Sequence, residues 1–94
     1  MLRLDLFLKN TGLVKQRSAA KRACDSGCVR VDDQLAKAGR QVRVGEVIAL
    51  DTDTEYLRLE VLDLPRRTVS RAQRQDYYRV LERQRRDPLE DLRF

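Results

Sequence analysis

Arg17-Ser-Ala-Ala-Lys-Arg-Ala-Cys-Asp-Ser-Gly-Cys-Val-Arg-Val31 is the stretch from which the fold can be read. Its first part sets Ala20, Ala23 and Cys24 at helical spacing, and Gly27 stands where a helix stop belongs. The period then drops to two: Val29 and Val31 alternate with Cys28 and Arg30, and Asp32-Asp33 reads as a turn. A short helix running straight into half-buried strands predicts an α+β protein. At about 100° per residue, Arg17 and Lys21 lie about 40° apart on the rim of the apolar face, one turn from each other. Two cations are thus placed to meet one phosphate backbone together.

Upstream, Leu4, Phe7, Leu8 and Thr11 follow the i, i+3, i+4, i+7 pattern and Gly12 offers a stop, which predicts a first helix of about two turns. Leu6 falls on its other side, and Leu13 and Val14 bridge to the second helix. No Ser, Thr, Asp or Asn directly precedes Arg17, so Ser18 is the expected N-cap. Downstream, a short hairpin follows Asp32-Asp33, Val42 and Val44 alternate, Gly45-Glu46 turns the chain, and Val47 to Leu50 form a strand. After a polar loop over 52–55, Leu57, Leu59 and Val61 alternate in another half-buried strand. The sheet expected is small and antiparallel or mixed. Pro65-Arg-Arg marks a boundary between 1–64 and 65–94. Beyond it, Ser70 to Arg86 lacks Gly and Pro and carries a thin apolar stripe of Ala72, Tyr77, Val80 and Leu81, with Pro88 to end it. That predicts a C-terminal helix and a frayed tail over 87–94. The architecture expected is two short helices packed on a small β-sheet, followed by a C-terminal helix.

The 94 residues suffice for one domain with a modest core. The net charge of +5 is segregated: residues 1–44 carry +6, residues 45–63 carry −5 and residues 64–94 carry +4. Single-sign patches attract polyanions, and 16 of the 20 basic residues are Arg, whose planar fork grips phosphate. The plainer alternative is a solvated surface laced with pairs such as Lys21 and Asp25. Arg3, Asp5 and Lys9 interrupt the N-terminal apolar stretch, and no apolar run approaches about 18 residues, so a cytoplasmic protein without a membrane partner is expected. Cys24 and Cys28 are spaced CxxxC in a chain without His, which makes reduced thiols the expectation and a four-ligand metal site improbable. Neither a Walker-type loop nor a Gly-x-Ser-x-Gly elbow is present, so no catalysis and no cofactor are expected.

The order Arg3-Leu-Asp-x-Phe-Leu8, Arg17-Ser-x-Ala-Lys21, Gly27-x-Val-x-Val31, Lys37-Ala and Val42-x-x-Gly-Glu-x-Ile48 resembles the S4 RNA-binding domain, named after small-subunit ribosomal protein four. The match runs over about residues 2–50 and implies the family's αL-type RNA-binding motif. Leu57 to Leu64 and Tyr77-Tyr-Arg-Val-Leu81 extend the likeness to the stand-alone members acting in ribosome-associated quality control and to the related fifteen-kilodalton heat-shock proteins. Without a long basic C-terminal extension, the chain resembles the quality-control type more. The resemblance implies binding to rRNA of a large ribosomal subunit obstructed by peptidyl-tRNA, contact with tRNA, and support for C-terminal tailing of the stalled chain alongside a tailing factor; a monomer is simply the plainest expectation for a chain of this size. Two departures stand out: Asp32-Asp33 replaces the Asn-Gly often found in that turn, and Gln16 stands where Ser or a basic residue is frequent.

By the same resemblance Arg3, Asp5, Arg17 and Lys21 match the family's RNA-binding surface. Arg17 and Lys21 are the expected phosphate ligands, the alternative being an exposed helix rim. Asp5 repels phosphate, so it is expected to cap the first helix, to orient Arg3 or Arg17 through a charge-assisted hydrogen bond, or to accept from a base. Lys15, Gln16, Arg22, Arg30 and Lys37 are second-rank candidates, as readily solvated as bound. One of Tyr77 and Tyr78 is expected in the core and the other could stack on a base. Two other readings remain open: a ribosome-assembly factor or RNA chaperone, and a protein-interaction module that docks a partner through the basic C-terminal helix.

Overall fold

A computed structural model describes residues 1–85. Strand β1 (Leu2–Arg3) leads into helix α1 (Leu4–Asn10) and then α2 (Arg17–Asp25). The strands β2 (Val29–Val31), β3 (Gln34–Leu35), β4 (Gln41–Val42), β5 (Val47–Asp51) and β6 (Glu55–Val61) follow. A 3-10 helix (Arg71–Asp76) and strand β7 (Tyr78–Arg85) complete the described chain. Five strands form one antiparallel sheet in the order β3-β2-β5-β6-β7, and β1 pairs with β4 in a separate two-stranded ribbon.

Register explains the layers. Val29 faces Leu50, Val31 faces Ile48, Ile48 faces Leu59 and Leu50 faces Leu57, so the alternating apolar residues share one side of the sheet. Leu4, Phe7 and Leu8 of α1 and Ala20 and Cys24 of α2 are buried in one cluster with them. Leu13 and Val14 pack against that cluster from the connection between the helices. Truncating a filled position such as Phe7 to Ala costs about 3–5 kcal/mol, a large share of the stability of a domain this small.

The turns follow the sequence closely. Gly12 and Gly27 stop the two helices with φ of 77° and 78°, a left-handed conformation that disfavours a Cβ. Asp32 and Asp33 both take positive φ, 51° and 68°, in a two-residue hairpin closed by the Val31–Gln34 pair. The Asp32 carboxylate accepts the Val47 N–H at 2.9 Å, which offsets the cost of a left-handed residue other than glycine.

Two expectations are corrected. The residue before α2 is Gln16, in extended conformation and without a side-chain cap bond, whereas Ser18 lies inside the helix. A helix beginning at Arg17 instead closes through the Ala20 N–H donating to the Gln16 carbonyl at 3.1 Å. The larger correction concerns the C-terminal helix expected over 70–86. Only Arg71–Asp76 is helical, as a 3-10 turn, and Tyr78–Arg85 is a strand. Good intrinsic helix formers there meet the unpaired edge of β6, and its open N–H and C=O groups are satisfied by the ladder that runs from Val61–Tyr78 to Glu55–Arg85. Tyr78 packs on the core as one of the two tyrosines was expected to. The tail over 87–94 and the stop at Pro88 lie outside the described residues.

Candidate nucleic-acid interface

The first turn of α1 is where backbone and charge meet. Three of its N–H groups are satisfied from outside the helix ladder: Leu4 donates to the Arg40 carbonyl at 2.8 Å, Asp5 to the Ala38 carbonyl at 3.1 Å, and Leu6 to the Asp5 carboxylate at 2.8 Å. Asp5 is buried, at 2% exposure, in a helix whose first residue is preceded by Arg3. Its other contacts are two guanidiniums. Arg17 Nε donates to Oδ2 at 3.0 Å, and Arg3 donates through Nε at 3.3 Å and Nη2 at 3.4 Å. Burial pushes the Asp5 carboxyl upward, but the hydrogen bonds from Arg17, Arg3 and the Leu6 N–H outweigh it and hold the group below its ordinary value. It is therefore ionised at neutral pH, and one negative charge orients two positive ones.

Arg3 and Arg17 keep about half of their side chains open to solvent, at 46% and 50%. With Asp5, Ser18 and Lys21 they line one shallow cleft between the start of α1 and the first turn of α2. A second cleft shares Arg3 and Lys21 and continues past Gly27 to Lys37 and Gly39. Arg17, Arg3 and Lys21 are thus brought together at one cleft, and Lys37 lies at the far side of the adjoining one, which Asp25 and Leu35 also line. The geometry suits a phosphodiester backbone, because several cations face neighbouring clefts and two of them are held in place by one carboxylate.

Four other candidates lie elsewhere. Arg22 is about 140° around α2 from Arg17, a consequence of the 100° step. Arg30 sits between the inward Val29 and Val31, so it points to the opposite side of the sheet, where Nη1 donates to the Asp33 carbonyl at 3.2 Å. Lys15 and Gln16 are exposed in the connection before α2 and line neither cleft, and the Gln16 side chain accepts from Ser18 at 3.5 Å.

Sequence reasoning missed the role of residues 38–40. This segment holds the first turn of α1, and Arg40 is fixed in turn by Glu46, with Nη2 donating at 2.9 Å and Nη1 at 3.2 Å. The Arg40 hydrogen bond, reinforced by the Arg43 N–H at 2.6 Å, holds the Glu46 carboxyl below its ordinary value. The one available signal was Arg40 placed before a Gly-Glu turn. Of the two thiols, Cys24 is buried beneath α2 and pushed up to about 11 by that burial, which keeps it protonated at neutral pH, and both Cys24 and Cys28 are free.

A helix pair on an antiparallel sheet, with two arginines fixed on a buried carboxylate at the helix starts, defines a small module of the S4 class, and residues 2–48 match the S4 domain. The chain is 32% identical to the RQC P-site tRNA stabilizing factor of Halalkalibacterium halodurans, across 84% of this chain and 89% of that protein. The factor of the same name from Helicobacter pylori is 41% identical across 52% of this chain and 58% of that one. In three dimensions the chain is similar to Vibrio cholerae heat shock protein 15, solved as a trimer, with a TM-score of 0.80 at 25% identity, covering 84% of this chain and 80% of that one. The chain belongs to the S4-domain family, in the group of the RQC P-site tRNA stabilizing factors.

Proposed function

We propose that the chain is a non-catalytic RNA-binding factor of ribosome-associated quality control. It binds rRNA and tRNA on the obstructed large ribosomal subunit and supports C-terminal tailing of the stalled nascent chain. The observation that carries this reading is the cluster of Arg3 and Arg17, anchored by the buried Asp5 carboxylate, with Lys21 in the same cleft and Lys37 in the adjoining one, in a chain similar to factors named for stabilising P-site tRNA. Fixed cations bind phosphate with little ordering cost, whereas free lysines must lose rotamer freedom first. Residues 1–64 supply this surface and the segment after Pro65 braces it. The Asn10 amide donates to the Pro65 carbonyl at 3.0 Å, and the Val69 N–H donates to the Asn10 carbonyl at 2.9 Å. The docking reading that relied on a basic C-terminal helix loses its helix, since Tyr78–Arg85 is a strand.

The test is sedimentation of cell lysate on a density gradient, comparing wild type with a folded Arg17→Glu variant. Comigration with the large subunit that is lost in the variant is the expected result. Wild type remaining at the top at low salt overturns the proposal. A bound subunit free of peptidyl-tRNA selects the assembly-factor reading instead. With about five phosphates neutralised, log affinity should fall against log salt with a slope of roughly −3.5 to −4.5. Sedimentation of the free protein decides between the expected monomer and a trimer such as the Vibrio relative forms.

A further inference from the structure

The C-terminal end of α1 holds a second arrangement of cations with no assigned task. The 3-10 helix sets the Arg74 guanidinium directly over Gly12, where an added Cβ would lie 2.3 Å from Nη2 and 2.5 Å from Cζ. Gly12 thus leaves the space that the guanidinium fills. Arg74 Nε is shielded from solvent and has no hydrogen-bond partner, and among the described residues no carboxylate pairs with this side chain. A buried N–H left without a partner is costly, and an anion drawn to this guanidinium from outside would lower that cost.

A separate feature brings a second arginine to the same place. The β6–β7 ladder slips between Arg58 and Leu59: Leu59 faces Val80 but Arg58 faces Glu82, so Leu81 is an extra residue on β7. In a regular ladder Glu82 would face Leu57. The bulge puts Arg83 there instead, replacing a carboxylate with a guanidinium on the side of the sheet that Tyr78 and Val80 share. Arg74 and Arg83 then line one cleft with Gly12, Thr52, Thr54 and Glu55. Arg83 Nε is paired with the Glu55 carboxylate at 2.9 Å, so among the described residues no acid remains in the cleft to compensate Arg74.

We propose that the Arg74–Arg83 cleft is a second phosphate site, taking a backbone phosphate of the same RNA that the Arg17 surface binds. The inference rests on the functional reading above and extends its footprint. The seven residues of α1 span about 10 Å, so the Asp5-anchored cations and Arg74 stand at opposite ends of one short rod, within reach of one folded RNA.

The test uses the full chain and follows arginine Nε–Hε resonances in NMR spectra while a short single-stranded oligoribonucleotide is titrated in. Arg74→Lys identifies the Arg74 signal. The expected result is that this signal shifts in wild type and also in the Arg17→Glu variant. Arg74→Gln should weaken RNA binding roughly threefold to tenfold and flatten the salt slope by about 0.7–0.9, the share of one phosphate, whereas Arg74→Lys should keep the slope. A moving Arg17 signal beside a still Arg74 signal overturns this site and leaves the functional reading intact. Silence of both signals, with no RNA binding, sinks both. An Arg74 response to a Glu-rich peptide at lower concentration than to RNA overturns the phosphate assignment in favour of a protein partner.

Discussion

The start of α1 and the β6–β7 ribbon both pair arginines with acids, yet they do so under opposite conditions. Asp5 is 3% exposed through its side chain and serves two guanidiniums and a backbone N–H. On the ribbon, Glu60 and Glu55 are 29% and 36% exposed and each meets a single arginine, Arg79 and Arg83. Glu46, at 15%, lies between the two cases. Water screens an exposed pair and leaves its arms free to wander, whereas a buried acid bonded three ways fixes its partners in place. The first region therefore holds two arginines in one arrangement, as the proposed RNA surface requires, and the second mainly joins two strands. If this contrast is right, removing the acids should do damage in the order of their burial.

Asp5→Ala should have the largest effect. It strands the Leu6 N–H and releases both Arg3 and Arg17, and the loss of several charge-assisted hydrogen bonds predicts destabilisation of about 2–3 kcal/mol, measured by urea unfolding. RNA affinity should fall as well, although a negative charge has been deleted from a basic surface. A rise in affinity would mean that Asp5 acts only as a repulsive charge and that the arginines need no anchor. The acid dependence follows from the lowered Asp5 value. The contribution is complete above the ordinary aspartate range near 3.9 and is lost as pH falls through the lower folded value. The wild-type acid limb should therefore steepen below about pH 4, and that component should vanish in Asp5→Asn.

The same two regions differ in how far they could be read from sequence. The helix pair was legible because Leu4, Phe7 and Leu8, then Ala20 and Cys24, repeat at the helical period and become the buried face, and because Gly12 and Gly27 close each helix. The Arg17–Lys21 pairing followed from the helical step alone. Asp5 was legible as an orienting group, but its choice of both arginines at once was not, because that depends on α2 crossing the start of α1. The segment 78–85 was misread for a definite reason. Tyr78 and Val80 alternate as strand residues do, but the bulge at Leu81 breaks the alternation and leaves a spacing that mimics a helix stripe. The strand exists because β6 has an edge to fill, a demand made by the rest of the fold. The role of the loop at residues 38–40 was hidden for a similar reason, apart from Arg40 standing before the Gly-Glu turn, since its carbonyls matter only once α1 is docked against them.

Glu46→Ala should fall in the middle of the series. It removes the paired hydrogen bonds from Arg40 and the one from the Arg43 N–H, at a cost of about 1 kcal/mol in unfolding experiments. Its effect on the proposed RNA surface is indirect, through the 38–40 loop, which follows Lys37 and supplies the carbonyls under α1. Binding should weaken only slightly, with the salt slope unchanged, because no phosphate contact is deleted. A loss of slope would place Glu46 or Arg40 at the RNA itself.

The ribbon pairs should matter least, and a double-mutant cycle measures them cleanly. Arg79→Ala and Glu60→Ala, alone and together, should give a coupling of about 0.2–1 kcal/mol that shrinks between 50 mM and 1 M salt. The Arg79–Glu60 contact is expected to contribute little because the arginine side chain is mostly in water, where the pair is screened. The corresponding cycle for Arg83 and Glu55 should give a similar value with one difference. Removing Glu55 frees Arg83 beside Arg74 in the same cleft, so Glu55→Gln should tighten RNA binding if the cleft takes a phosphate. A pair that contributes almost nothing to stability would then govern affinity, which is the reverse of Asp5, where one acid supports both.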